Sequence, residues 1–317
     1  MAAFLGFLKR NILALVLLIC LVLSIGIIVA DNRAESREKK KSERYALLSK
    51  RIFTEKQNDI ILNLSSLRSE LRDYLKEVDA PYSIYIEYLP SGTSVRLGET
   101  NEFIGASLLK IPVVMDLYKA VELGRLNLDQ EVEIDQQALS SEFGNLYQTG
   151  AGNSITLRKA AELTLSESDN TAARLIFEQT SRVLDFREES LNFLDVELQE
   201  ESQNGRSISL ISARSYSSFL KCLYLSCYLN FDNSQDVLDL LSKTRFDNWL
   251  VSGISDPNIR VAHKIGLFSK EVASDCGIVY IPKRPYSICV MFKSTDTKVN
   301  QYFTDISKST YNFFANQ

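Results

Sequence analysis

Strand-like runs stand near both ends of this chain and helix-like runs fill its middle, an order that leaves few architectures open. Tyr82 to Leu89 and Ser94 to Leu97 read as strands, joined by the turn residues Pro90-Ser91-Gly92. Towards the end, Arg260 to Ile265, Gly277 to Ile281 and Tyr286 to Phe292 read the same way, with Pro282-Lys283-Arg284-Pro285 as a turn. Between these groups the pattern from Ser107 to about Thr244 is mostly helical, including Leu157 to Leu165 and Asn170 to Thr180. A first helix is expected within Asp59 to Val78, and a last one from about Val299 to Asn316. The fold expected is an α/β sandwich. One antiparallel sheet is built from both ends of the chain, helices flank it, and an all-helical insertion stands beside it, so a site would lie where sheet and insertion meet.

The chemistry in that middle starts at Ser107-Leu108-Leu109-Lys110. A serine hydroxyl is a weak nucleophile until a base takes its proton, and a spacing of three on a helix puts serine and lysine on one face. The apolar run that follows ends at Gly124, which places Ser107 at a helix N-terminus, where the macrodipole favours developing negative charge. Pro112 falls in the first turns, where a missing amide is tolerated. Alone, Ser107 reads more readily as a cap and Lys110 as a solvated lysine. Two later motifs, Ser168-Asp169-Asn170 and Lys264-Ile265-Gly266, change that balance. The chain has a single histidine, His263, which argues against a multi-histidine zinc site and makes lysine the base to expect beside a nucleophilic serine. His263 and Lys264 are consecutive on a strand and so point to opposite faces; His263 reads as structural. No metal or cofactor is expected.

Together and in this order the three motifs resemble those of the penicillin-recognising serine enzymes, the class A β-lactamases and penicillin-binding proteins. The resemblance runs from about Leu67 to the C-terminus, through Phe103-Ile-Gly-Ala-Ser-Leu-Leu-Lys-Ile-Pro, Leu165-Ser-Glu-Ser-Asp-Asn-Thr-Ala-Ala and Val261-Ala-His-Lys-Ile-Gly. It implies the β-lactamase/transpeptidase-like fold, with Ser107 as the acylated nucleophile and Lys110 as its base or proton relay. Ser168 would pass a proton to the leaving nitrogen, Asn170 would bind the substrate's amide side chain, and Lys264 would hold Ser168 and a substrate carboxylate. Gly266 and Leu267 would line the substrate site, the amides of Ser107 and Leu267 forming an oxyanion hole, and Phe143 or Tyr147 would wall the cleft.

Three departures from the family pattern bear on substrate. Ile265 replaces the usual hydroxyl residue of the strand motif. By offset from Lys264, Cys276 falls near a family arginine that anchors the substrate carboxylate, leaving Arg260, Lys270 or Arg245 to substitute. The loop carrying the family's water-activating glutamate looks shortened: Arg206-Ser-Ile-Ser-Leu-Ile-Ser-Ala resembles the helix start that follows it, with only Glu200 and Glu201 in the remnant. Glu188-Glu189-Ser190-Leu191-Asn192 echoes the loop but follows Ser168 too closely and reads as a helix. Either a β-lactamase with slow deacylation or a D-alanyl-D-alanine peptidase acting on peptidoglycan peptides would fit. A non-catalytic cell-wall or protein-binding module on the same fold is the competing reading.

The 317 residues, 45% apolar with a formal charge of −4, suit one large domain plus a membrane segment and give no sign of nucleic-acid binding. Asn11 to Ala30 carries no charge and follows Lys9 and Arg10, so it reads as an uncleaved anchor. Arg33, Arg37 and Lys39 to Lys41 lie just beyond it and would by charge count prefer the cytoplasm, but long domains cross largely regardless of such counts. The expected organisation is a short cytoplasmic N-terminus (1–10), the anchor (11–30), a charged stalk (31–58) and a hydrolase domain (59–317). Within that domain, 59–106 and 259–317 would form the sheet part and 107–258 the helical part. The domain is expected outside the cytoplasm and as a monomer. Cys222, Cys227, Cys276 and Cys289 sit in apolar surroundings; a Cys276–Cys289 disulfide is open to adjacent strands but not required.

Overall fold

The computed structural model describes residues 2–53, 62–98, 103–203 and 206–317; the side chains of 2–15, 17, 18, 20, 203 and 206 are outside the description. The chain divides into two compact units, residues 1–46 with 50–57 and residues 47–49 with 58–317. The first holds one long helix, α1 (Ala2–Arg44), and a 3₁₀ turn at Lys50–Phe53. Tyr45 stacks on Phe53 at 5.7 Å, and the Lys50 ammonium donates to the carbonyl and hydroxyl of Ser42 at 2.8 Å. Among the described residues no helix is long and apolar enough to cross a membrane. The expected anchor falls partly on side chains outside the described set.

The second unit is built on a five-stranded antiparallel sheet in the order β2-β1-β10-β9-β8. Its strands are β1 (Tyr82–Tyr88), β2 (Thr93–Gly98), β8 (Val261–Phe268), β9 (Val272–Val279) and β10 (Tyr286–Phe292), so the sheet does draw on both ends of the chain. β1 pairs with β10 from Tyr82↔Phe292 to Tyr88↔Tyr286. One sheet face packs on α2 (Ser65–Tyr74) and α9 (Thr297–Ala315) through Leu67, Leu71, Ile84, Ile86, Ile288, Val290, Phe303 and Phe314, all at most 1% exposed. Of the expected first helix, α2 forms Ser65–Tyr74 and a 3₁₀ turn continues it over Leu75–Glu77; residues 59–61 lie outside the description.

The middle of the chain carries α3 (Lys110–Glu122), α4 (Leu157–Ser166), α5 (Asn170–Ser181), α6 (Ser190–Phe193), α7 (Ala213–Leu225) and α8 (Phe231–Leu241). It is not all helical. A short pair, β4 (Glu131–Glu133) with β5 (Ser154–Thr156), and a three-stranded sheet, β3 (Phe103–Ile104), β7 (Arg206–Ile211) and β6 (Gln199–Gln203), lie within or beside it. Arg206–Ile211, expected to start a helix, is instead a strand, because Ser207-Ile208-Ser209-Leu210-Ile211 alternates with period two and pairs with both neighbours; the helix begins only after the Ser212 cap. Two disulfides are present among the described residues, Cys222–Cys227 and Cys276–Cys289. The second joins residues directly opposed on β9 and β10.

Candidate active site

Ser107 lies in a 3₁₀ turn, Ala106–Leu109, that runs straight into α3. The residue before it, Ala106, has φ +46°, a left-handed conformation that an alanine holds only when its surroundings impose it, at about 1–3 kcal/mol. Those surroundings include β8. A Cβ on Gly266 would come within 2.9 Å of Leu108 Cγ and 3.2 Å of the Gly105 carbonyl, so only glycine lets the strand approach the turn this closely. The strand motif is thereby locked against the serine motif.

The middle motif is held as tightly. Asp169 caps α5, its two carboxylate oxygens accepting from Ala172 N at 2.9 Å and Leu146 N at 2.8 Å, and Asn170 N donates to the Phe143 carbonyl at 3.0 Å. Gly144 has φ +81°, and a Cβ there would fall 2.0 Å from Asp169 Oδ2. The loop bearing Phe143 is therefore clasped to the start of α5. Ser168, also left-handed at φ +57°, is turned by this arrangement into the interior, where it is fully buried.

Two lysines converge on Ser168. Lys110 Nζ donates to the Ser168 carbonyl at 2.5 Å, to Asn170 Oδ1 at 2.5 Å and to Ser168 Oγ at 3.2 Å. Lys264 Nζ donates to the same Oγ at 2.9 Å. Burial pushes the Lys110 amine down to about 8, with Asp169 opposing and Arg174 adding to the shift. Burial likewise lowers Lys264 well below the usual lysine range, the Lys110 charge adds to this, and Asp275 opposes it. The Ser107 hydroxyl has no hydrogen bond among the described residues; Lys110 is engaged with Ser168 and Asn170 rather than with it.

Phe143 meets Phe246 with ring centroids 6.1 Å apart, and Lys264 Nζ stands 5.9 Å from the Phe246 ring. Nothing in the sequence singles out Phe246, since a lone aromatic after Thr244-Arg245 carries no motif. Beside it, the Arg245 guanidinium lies 5.3 Å over the same ring and pairs with Glu167 at 2.6 Å. Of the cations named as substitutes, Arg260 is tied to Asp239 at 3.0 Å and Lys270 sits exposed at the β8–β9 turn, so Arg245 alone is placed next to the middle motif. Cys276 faces no substrate: it is fully buried, opposite Lys264, and bonded to Cys289. His263 points to the other sheet face, its Nδ1 2.8 Å from Asp275 Oδ1, both buried.

In place of a shortened loop, residues 185–203 form a 3₁₀ turn, α6 and the β6 arm of a hairpin. Glu200 is exposed and accepts from Ser207 Oγ at 2.9 Å and Ser209 Oγ at 2.5 Å; Glu201 is exposed on the same strand. Glu200 also borders a cavity of about 310 Å³ whose lining includes Leu109, Pro112, Asp116 and Glu189. Glu188–Asn192 does contribute the short α6, and Ser190 N donates to Asp116 at 2.8 Å.

A profile described as the β-lactamase enzyme family matches residues 66–314. β-Lactamase VEB-1 of Pseudomonas aeruginosa is 22% identical over 286 residues, covering 80% of this chain and 91% of that protein. Among solved structures, PBP-A superposes with a TM-score of 0.71 at 21% identity, covering 80% of this chain and 97% of that one. A β-lactamase from Sphaerobacter thermophilus DSM 20745 gives 0.70 at 19% identity, over 81% and 99% of the two chains. These two likenesses show the β-lactamase/transpeptidase-like fold. With the profile spanning both halves of the sheet and all three motifs, the chain belongs to the β-lactamase enzyme family.

Proposed function

We propose that this protein is a membrane-anchored, extracytoplasmic serine hydrolase that is acylated at Ser107 by a β-lactam or a peptidoglycan-type peptide. The observation that carries this reading is Ser168 Oγ, held at 3.2 Å and 2.9 Å between two buried lysines whose burial favours the neutral amine. Neutral Lys110 takes the Ser107 proton as Oγ bonds to the carbonyl carbon; the C–N bond then breaks, and the leaving nitrogen receives a proton through Ser168. Amides of Ser107 and Leu267 bind the oxyanion, Asn170 holds the substrate's amide side chain, Gly266 keeps the strand close to the serine, and Phe143 with Phe246 walls the cleft. Water then hydrolyses the ester.

Release is the slow step in this reading, because Glu200 is exposed and already occupied by two serine hydroxyls. One of the solved relatives is a point mutant of PBP-A captured as an acyl-enzyme complex with penicillin G, 22% identical to this chain with a TM-score of 0.70. The test is intact mass spectrometry of the full-length protein in detergent, mixed with benzylpenicillin and followed in time beside Ser107→Ala. An adduct that persists and is lost in the variant is expected. Drug hydrolysed without a lasting adduct would make it a rapid β-lactamase, and neither adduct nor hydrolysis would leave the non-catalytic module.

Arg245 takes over carboxylate recognition in this site, since it stands beside Ser166-Glu167-Ser168 with its plane on Phe246. Arg245→Ala is expected to slow acylation by a carboxylate-bearing donor about tenfold, the loss of one charged hydrogen bond, and to leave an uncharged ester donor unaffected. Equal effects on both donors would count against the role.

Two features support this location. Val16, Ile19, Leu21, Val22, Leu23 and Ile25 of α1 are 49–61% exposed, an apolar stretch of the kind that a bilayer covers. The disulfides Cys222–Cys227 and Cys276–Cys289 belong to an oxidising compartment.

A further inference from the structure

At the sheet edge opposite β8, a second polar pocket of about 170 Å³ opens between β1, β2 and the start of α7. It is lined by Ser83, Tyr85, Arg96, Ser212, Arg214 and Ser215, with Ile84 as its one aliphatic wall residue. Register explains the convergence. Tyr85 pairs with Arg96, and Ser83 lies two residues away on the same face, turned towards α7.

Arg96, Arg214 and Ser83 are the donors there that lack an acceptor among the described residues. Neither Arg96 nor Arg214 has an ion-pair or hydrogen-bond partner among the described residues, and no described carboxylate lines the pocket. Ser83 is only 4% exposed, yet its hydroxyl has no hydrogen-bond partner among the described residues. Ser212 caps α7, accepting from Ser215 N at 3.0 Å, which leaves the other first-turn amides to outside acceptors at the positive end of a 13-residue helix. Glu87, two residues beyond Tyr85 on the same face of β1, is already engaged by Lys221 and by Tyr85 Oη, which donates to it at 2.9 Å.

We propose that this pocket binds a phosphate group. Two guanidinium forks, a buried serine hydroxyl and a helix N-terminus together need more acceptor oxygens than the two of a carboxylate, and a tetrahedral phosphate supplies them. The space is several times a water's share of liquid volume, about 30 Å³, and so accommodates a small oxyanion. The site is independent of Ser107 and stands whatever that serine does.

Calorimetric titration of the full-length protein in neutral detergent, with inorganic phosphate and separately with the soluble diester glycerophosphoglycerol, tests this. Saturable one-site binding is expected, weakened about tenfold or more by Arg96→Gln and by Arg214→Gln, each removing one charged contact. Binding of inorganic phosphate identifies free phosphate as a ligand; binding confined to the diester identifies a lipid-type headgroup. The proposal is overturned if neither probe binds, or if binding survives in the double variant. Unchanged melting of the variants in phosphate-free buffer keeps a lost fold from passing as a lost site.

Discussion

Replacing Lys110 by methionine is expected to slow acylation of Ser107 by benzylpenicillin about 10³-fold, within the 10²–10⁴ range of a positioned general base. The direction of the pH dependence identifies the group. In the proposed mechanism the free amine is the base, and burial holds its pKa near 8, so below that value a growing fraction is protonated and inert. Wild-type acylation should therefore rise about tenfold per pH unit up to about 8 and then level off. The Lys110→Met variant should lose this titration. Rapid mixing with a chromogenic β-lactam across pH measures both. A midpoint that persists in Lys110→Met and vanishes in Lys264→Met would transfer the role to Lys264.

Two ammonium groups sharing one buried hydroxyl repel each other, so the string Lys110–Ser168–Lys264 favours fewer than two excess protons. In the proposed mechanism such a string takes a proton from Ser107 at one end and delivers one to the leaving nitrogen at the other. Arrival of an anionic substrate near Lys264 favours the charged form of that end.

The largest stability effect is expected from Asp275→Ala. Asp275 is fully buried, takes His263 Nδ1 on one oxygen and Leu250 N at 3.1 Å on the other, and so joins β8 and β9 to the segment before the 3₁₀ turn Val251–Gly253. Alanine leaves two buried donors without acceptors, at about 1–3 kcal/mol each. The sum, about 4 kcal/mol, should lower the thermal midpoint by roughly 8–16 °C for a domain of this size. Asp275→Asn keeps an acceptor and should cost less than half as much. Equal melting of Asp275→Ala and wild type would remove the pair from the account of stability.

Much of the sheet is legible because its strands carry apolar runs set off by turn residues, as Tyr286–Phe292 starts directly after Pro285. The three motifs are legible because their chemistry needs particular residue types at helical or strand spacing. What escapes is set by register and long-range packing. Cys276 pairs across β8–β9 with Lys264, but its sulfur is taken up by Cys289 of β10, a partner that no count of residues from Lys264 reveals. The hairpin of β6 and β7 reads in sequence as a loop remnant and a helix start, since its alternation is short and serine-rich. Phe246 reaches the cleft from a segment with no pattern of its own. The Cys222–Cys227 bridge spans the end of α7, where Ser226 turns left-handed to bring the second sulfur back, a bend invisible in spacing alone.

The pairing of β1 with β10 also governs how the molecule can be made. Roughly 200 residues separate Tyr88 from Tyr286, and at 5–20 residues per second the ribosome needs roughly 10–40 s to supply the partner strand. Throughout that interval β1, buried from Ser83 to Tyr88 in the finished protein, has only β2 beside it and presents an open apolar edge. The newborn chain therefore either stays unstructured until its last strand emerges, as passage through a membrane pore would keep it, or depends on helpers that cover that edge.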